Sequence, residues 1–167
     1  MAGLLALPLF FAPGATASAQ GIERLGDFDS WSAYRFVEDG KPACYMASVP
    51  GKSEGDYSKR GDVYALVTHR PAESRRDEVS FVAGYEYKAD SVAKVTIGDR
   101  TEDFFTQNDG AWTPDHNMDK EMVQAMIRGT SMVVKGTSSR GTLTTDTYSL
   151  KGFTSAYRAI SKSCGVN

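Results

Sequence analysis

Val79-Ser80-Phe81-Val82-Ala83-Gly84-Tyr85-Glu86-Tyr87 decides how this chain folds. Val79, Phe81, Ala83, Tyr85 and Tyr87 fall on one side of an extended backbone, and Ser80, Gly84 and Glu86 on the other. A period of two is what a strand with one covered face requires, because successive side chains leave the backbone on opposite sides. The same period spreads outward. Ala93, Val95 and Ile97 continue it, and the turn signals Gly98-Asp99 and Asn108-Asp109-Gly110 bracket Glu102 to Thr106, so residues 93–113 read as a meander ending at Trp112. Upstream, Val63, Ala65 and Val67 alternate with Tyr64, Leu66 and Thr68, apolar on both sides, which predicts a central strand covered twice. Residues 30–37 form a first strand carrying Trp31 and Ala33, and residues 43–47 a short buried one carrying Cys44. Residues 50–61 read as a polar loop and 71–77 as a charged one.

Helices come late. Asn117 or Asp119 caps the first, Met118, Met122, Ala125 and Met126 recur at helical spacing, and Gly129 stops it. A hairpin follows, with Met132 to Lys135, a turn at 138–141, and a threonine-rich return strand from Thr142 to Leu150. In the closing helix Phe153, Ala156, Tyr157 and Ile160 share one face, and Cys164 continues it toward the core. The fold class expected is mainly β, an antiparallel β-sandwich with two α-helices in the C-terminal half.

Residues 2–12, AGLLALPLFFA, are apolar but too short to span a bilayer, and Ala17-Ser18-Ala19 is a small-residue cleavage pattern. Residues 1–19 therefore read as a signal peptide, one without the usual basic start, and residues 20–167 as a single domain. No later segment is long and apolar enough to cross a membrane. The formal net charge is −2, which argues against nucleic acid as a partner, since phosphate binding needs clustered Lys and Arg. Lys59-Arg60 and Arg75-Arg76 read as solvated loop charge. Cys44 and Cys164 are the only cysteines, and in an oxidising compartment they pair with each other. The chain-entropy model assigns such a ring roughly 4 to 5 kcal/mol.

The chain carries few residues in patterns that chemistry requires. His69 and His116 are the only histidines and read as structural. Gly-x-Ser-x-Gly and His-Glu-x-x-His do not occur, and Pro50-Gly51-Lys52-Ser53 lacks the earlier glycine of a phosphate loop, whose place Met46 takes. No catalytic residue, metal site or cofactor is expected. Glu102-Asp103 and Asp115 with Asp119 stay as weak carboxylate candidates for a small secreted hydrolase of envelope polysaccharide or peptide. Two features suggest binding. Met122 and Met126 can form an adaptable contact surface, as in a periplasmic chaperone or inhibitor, or can fill the core. Tyr34, Tyr45, Tyr57, Tyr85 and Tyr87 can enrich a recognition face.

From Arg140 to Ala156, RGTLTTDTYSLKGFTSA, with Ile160 and Cys164 beyond, the chain resembles the C-terminal signature of the invasion-associated locus B family, exported proteins of alphaproteobacteria. Phe28-Asp29-Ser30-Trp31, Cys44-Tyr45 and Val67-Thr68-His69-Arg70-Pro71 agree with it. The resemblance implies a periplasmic or envelope protein linked to host-cell entry, and it hands over no catalytic residues. The partner expected is a protein or envelope component; the oligomeric state stays open. Within the signature, Gly141 supplies a turn with positive φ, Arg140 and Asp146 form an ion pair or bind a ligand, and Gly152 starts the last helix close to the sheet.

Overall fold

Eleven strands form among residues 21–166, the part of the chain that the computed structural model describes, and most of them follow the apolar alternation with a period of two. The signal segment expected over residues 1–19 lies outside the described residues. The strands are β1 (Glu23–Phe28), β2 (Trp31–Glu38), β3 (Lys41–Ser48), β4 (Lys52–Gly55), β5 (Tyr64–Arg70), β6 (Arg75–Val82), β7 (Val92–Ile97), β8 (Arg100–Gln107), β9 (Gly110–Trp112), β10 (Ser131–Thr137) and β11 (Leu143–Ser149). The helices are α1 (His116–Arg128) and α2 (Phe153–Ser163). All strands join one antiparallel sheet in the order β1-β2-β3-β5-β6-β9-β8-β7-β10-β11-β4. The mainly β class with two late helices is as expected.

The sheet doubles over, and that makes the sandwich. Phe81 on β6 meets Phe104 on β8 at 5.3 Å and Tyr148 on β11 at 6.2 Å. Trp31 Nε1 on β2 donates to the Ser149 carbonyl at the end of β11, 3.0 Å away. The chain passes from one half to the other between β3 and β4, where Gly51 N donates to Thr147 O at 2.9 Å. β4 corrects the expected polar loop at 50–61. Its four side chains are all exposed, so no apolar period marks it; it is a strand because its backbone completes the edge beside β11. β6 is also shorter than the period suggests. The chain turns at Gly84, Tyr85 leaves the sheet, and Tyr87 keeps only an isolated antiparallel bridge to Ser138.

Asp115, not Asn117 or Asp119, caps α1; its carboxylate accepts from the backbone N–H of Asn117 (2.8 Å) and Met118 (3.0 Å). Gly152 begins α2 as expected, at φ +86°, and a Cβ there would stand 1.9 Å from the Phe28 carbonyl oxygen. No other residue allows that approach. Cys44 on β3 is disulfide-bonded to Cys164 at the end of α2, with Cα atoms 6.0 Å apart and a sequence separation of 120. The core holds Trp31, Met46, Phe81, Phe104, Met132, Tyr148 and Phe153. Met122 and Met126 belong to it too, each only 1% exposed. This corrects the reading of a methionine contact surface, and the chaperone or inhibitor built on it loses its exposed helix face.

Candidate functional site

Three regions bring chemistry-bearing side chains together. The first surrounds Asp146. Its partner is not Arg140 but Arg60, whose side chain is 6% exposed. The two meet as a bidentate pair, Nη1 to Oδ1 at 2.8 Å and Nη2 to Oδ2 at 2.6 Å. Ser53 Oγ donates to Oδ1 at 2.7 Å, and Arg60 Nε donates to the Ala83 carbonyl at 2.7 Å. The rings of Tyr57 and Tyr85 flank the guanidinium at 5.5 and 5.0 Å, a cation–π sandwich. Burial works against the charge on Arg60, and the Asp146 hydrogen bond and charge override it, so its pKa rises. Arg140 sits exposed on the hairpin turn, where Gly141 has the expected positive φ of +87°. Arg140 lines a small cavity of about 130 Å³ with Tyr57, Arg60, Tyr85, Ser138 and Thr144. The correction has a plain cause: Arg60 lies 86 residues from Asp146, in a stretch with no period to follow.

The second region holds the titratable groups. His69 is fully buried. Its Nε2 lies 3.2 Å from Ser161 Oγ and its Nδ1 lies 3.8 Å from an Asp77 carboxylate oxygen, which mimics a nucleophile–base–acid row. The proton is in the wrong place for that chemistry. Nδ1 accepts the Asp77 backbone N–H at 3.1 Å, so Nε2 carries the hydrogen and has no lone pair for the serine proton. Burial pushes the His69 pKa down. Asp77 is held further by the Tyr157 hydroxyl at 2.6 Å. Asp119 is the one carboxylate whose pKa rises, through burial. Its Oδ1 accepts from Val79 N (2.9 Å) and Thr113 Oγ1 (2.6 Å), which ties α1 to β6. The acids near it are engaged: Asp115 caps α1, and Glu78 is paired with Arg70 and Arg75. Among the described residues no group of His, Cys, Asp and Glu has the arrangement to hold a metal.

The third region is a face. On β2, β3, β5 and β6 the inward side chains pack against α1, α2 and the other half of the sheet. The outward side chains are covered by no element among the described residues. One lane of register partners crosses this outer face: Ser32, Ala47, Leu66, Ser80, Trp112, Phe105 and Val92. Beside it run Tyr34 and Tyr45, stacked at 4.9 Å, and on the other side Tyr64 and Val82. Phe105 and Trp112 stack at 5.7 Å, and Phe105 is 47% exposed. A depression of about 440 Å³ lies at each end, one against Tyr34 and Tyr64, the other against Phe105 and Trp112. Tyr34 and Tyr45 therefore join an aromatic surface, whereas Tyr57 and Tyr85 clasp Arg60 and Tyr87 is buried. The signal for this face was present in the two-sided apolar strand at residues 63–68. It predicts two covers, and the fold supplies one.

A disulfide-stapled β-domain with aromatic side chains on an uncovered sheet and every strongly shifted acid or base engaged in the fold is the class these observations define. The family model described as invasion associated locus B (IalB) protein matches residues 31–161. The chain belongs to that family. A crystal structure of invasion associated protein B from Bartonella henselae has a similar fold: TM-score 0.58 at 13% sequence identity, covering 83% of this chain and 95% of that one. No curated protein matches the chain.

Proposed function

We propose that this protein is an exported, non-catalytic binding module that holds a protein or envelope component against the outer face of β2, β3, β5, β6, β9 and β8. The uncovered lane of aromatic side chains carries this reading. Aromatic residues dominate contact energies at binding surfaces, and soluble domains rarely leave a contiguous apolar surface without use. The periplasm or the outer envelope is the fitting compartment, because the Cys44–Cys164 bond persists only where thiols are not kept reduced. The family's name supports a role at the envelope of a host-associated cell. A non-catalytic role is supported by His69, whose proton sits on the wrong nitrogen, and by Asp119, whose Oδ1 is spent on the fold.

The test is retention from an envelope extract by the immobilised protein, with Phe105→Ser and Trp112→Ser variants as controls. A component retained by the native protein and lost by both variants supports the reading. Turnover of an envelope polysaccharide or peptide by the pure protein, abolished by Asp119→Asn, reverses it in favour of a hydrolase.

A further inference from the structure

We infer that the uncovered face is a trough for one extended, uncharged β-linked polysaccharide chain lying across the strands, an assignment that rests on this face being the binding surface. Its shape is the first argument. At the β2 end the floor is made of the short side chains Ser32 and Ala47, with Leu66 and Ser80 following, and taller aromatics stand on both sides: Tyr34 along one margin and Tyr64 along the other. From β2 to β8 the trough crosses five strand spacings, about 24 Å. A straight run of that length suits a flat ribbon polymer, not a compact ligand.

The far end is a platform. A Cβ on Gly110 would stand 2.1 Å from the Trp112 ring, so glycine at that position lets the indole lie down on the backbone. The ring then presents a face, and Phe105 extends it, inclined by 28°. The electron-rich face of an aromatic ring attracts polarised hydrogens, and the C–H side of a pyranose ring supplies them while its hydroxyls point to the margins. The hydroxyl groups of Tyr34 and Tyr64 stand at those margins.

Charge is the third argument. The floor carries none. Most of the ionic groups that border it are paired with one another: Arg24 with Asp27, Arg70 with Glu38 and Glu78, Arg75 with Glu73 and Glu78, Lys94 with Asp103; Arg76, which lines the far depression beside Trp112, has no carboxylate partner among the described residues. With its floor uncharged and most border charges neutralised in pairs, the face offers little net field to a polyanion or an acidic peptide, and its complement is a neutral chain.

Insoluble chitin serves as the probe, with heparin as the charged contrast and chito-oligosaccharides as soluble ligands. The native protein is expected to sediment with chitin, to ignore heparin, and to keep its binding when salt is raised, since no counterions are released. A hexasaccharide is expected to bind more tightly than a disaccharide and to shield Trp112 from iodide quenching; Trp31, fully buried, does not report. Trp112→Ala and Tyr34→Ala, at opposite ends, are each expected to weaken binding about tenfold with an unchanged melting temperature. Absence of sedimentation, or equal sedimentation of both variants, overturns the glycan assignment. If the same variants instead abolish capture of an envelope protein while chitin is ignored, the assignment falls and the binding-surface reading stands. If nothing is captured in either experiment, both fall. Salt-sensitive retention on heparin overturns the neutral trough directly.

Discussion

Two clamps hold this domain, and they differ in kind. Cys44–Cys164 joins β3 to the end of α2; Arg60–Asp146 joins the 56–63 connection to β11. Both link residues far apart in the chain, and both are shielded from water. The covalent clamp acts on the unfolded chain, whose freedom it restricts. The ionic clamp acts on the folded state: two charges lose their water and recover its value only in one geometry, with Ser53, Ala83 and two tyrosine rings completing the shell. A disulfide therefore tolerates small shifts around it, whereas the ion pair penalises any loop position but its own. The first sets how stable the domain is; the second sets where one loop lies.

The contrast is open to breakage at several strengths. Replacing both cysteines with alanine is expected to have the largest effect, a loss of roughly 5 kcal/mol for a ring of this length, read by chemical denaturation. Without reductant the native protein should show no free thiol on unfolding. Asp146→Asn strips the charge facing Arg60 and is expected to cost about 3 kcal/mol. If denaturation instead finds less than about 1 kcal/mol, the pair behaves like a surface bridge and the contrast between the clamps fails. Gly152→Ala forces a methyl group against the Phe28 carbonyl at positive φ, and about 2 kcal/mol should be lost.

A smaller effect is expected from pH. Burial holds the His69 pKa below its ordinary value of 6.5, so below about pH 6.5 the unfolded chain binds a proton that the folded chain resists. Stability should be intact above that pH and should decline as the pH falls through it toward the lower folded value. Asp119 pulls the other way at more acid pH, because its raised pKa lets the folded chain take up its proton first. Melting curves at mildly acid pH should therefore flatten in a His69→Gln variant. The smallest effect belongs to the outer face. Phe105→Ser should change stability by no more than about 0.5 kcal/mol, because the side chain is already half in water.

Much of the fold was legible. The period of two marked β2, β5, β6 and β7, a short apolar run marked β3, turn signals bracketed β8, and helical spacing marked α1 and α2. β1 and β4 were not, because backbone pairing holds these edges and they need little apolar content to exist. Cys44 and Cys164 were legible as a pair because each had one possible partner. Asp146 had many: nineteen Lys and Arg residues are spread along the chain, and Arg140, the nearest arginine in sequence, was the wrong one. Tyr34 and Tyr45 were readable as candidate recognition residues, but their stacking, and the lane through Leu66 and Trp112 beside them, depend on register between strands distant in sequence.

By itself the sequence determined the alternation, the late helices, the turn glycines and the staple, since each follows from local geometry or from the chemistry of one residue type. Only the tertiary structure decided which charges meet, which methionines are core and which apolar side of β5 stays bare. Those outcomes depend on how one sheet doubles over, and the doubling is a property of long-range register that no local pattern encodes.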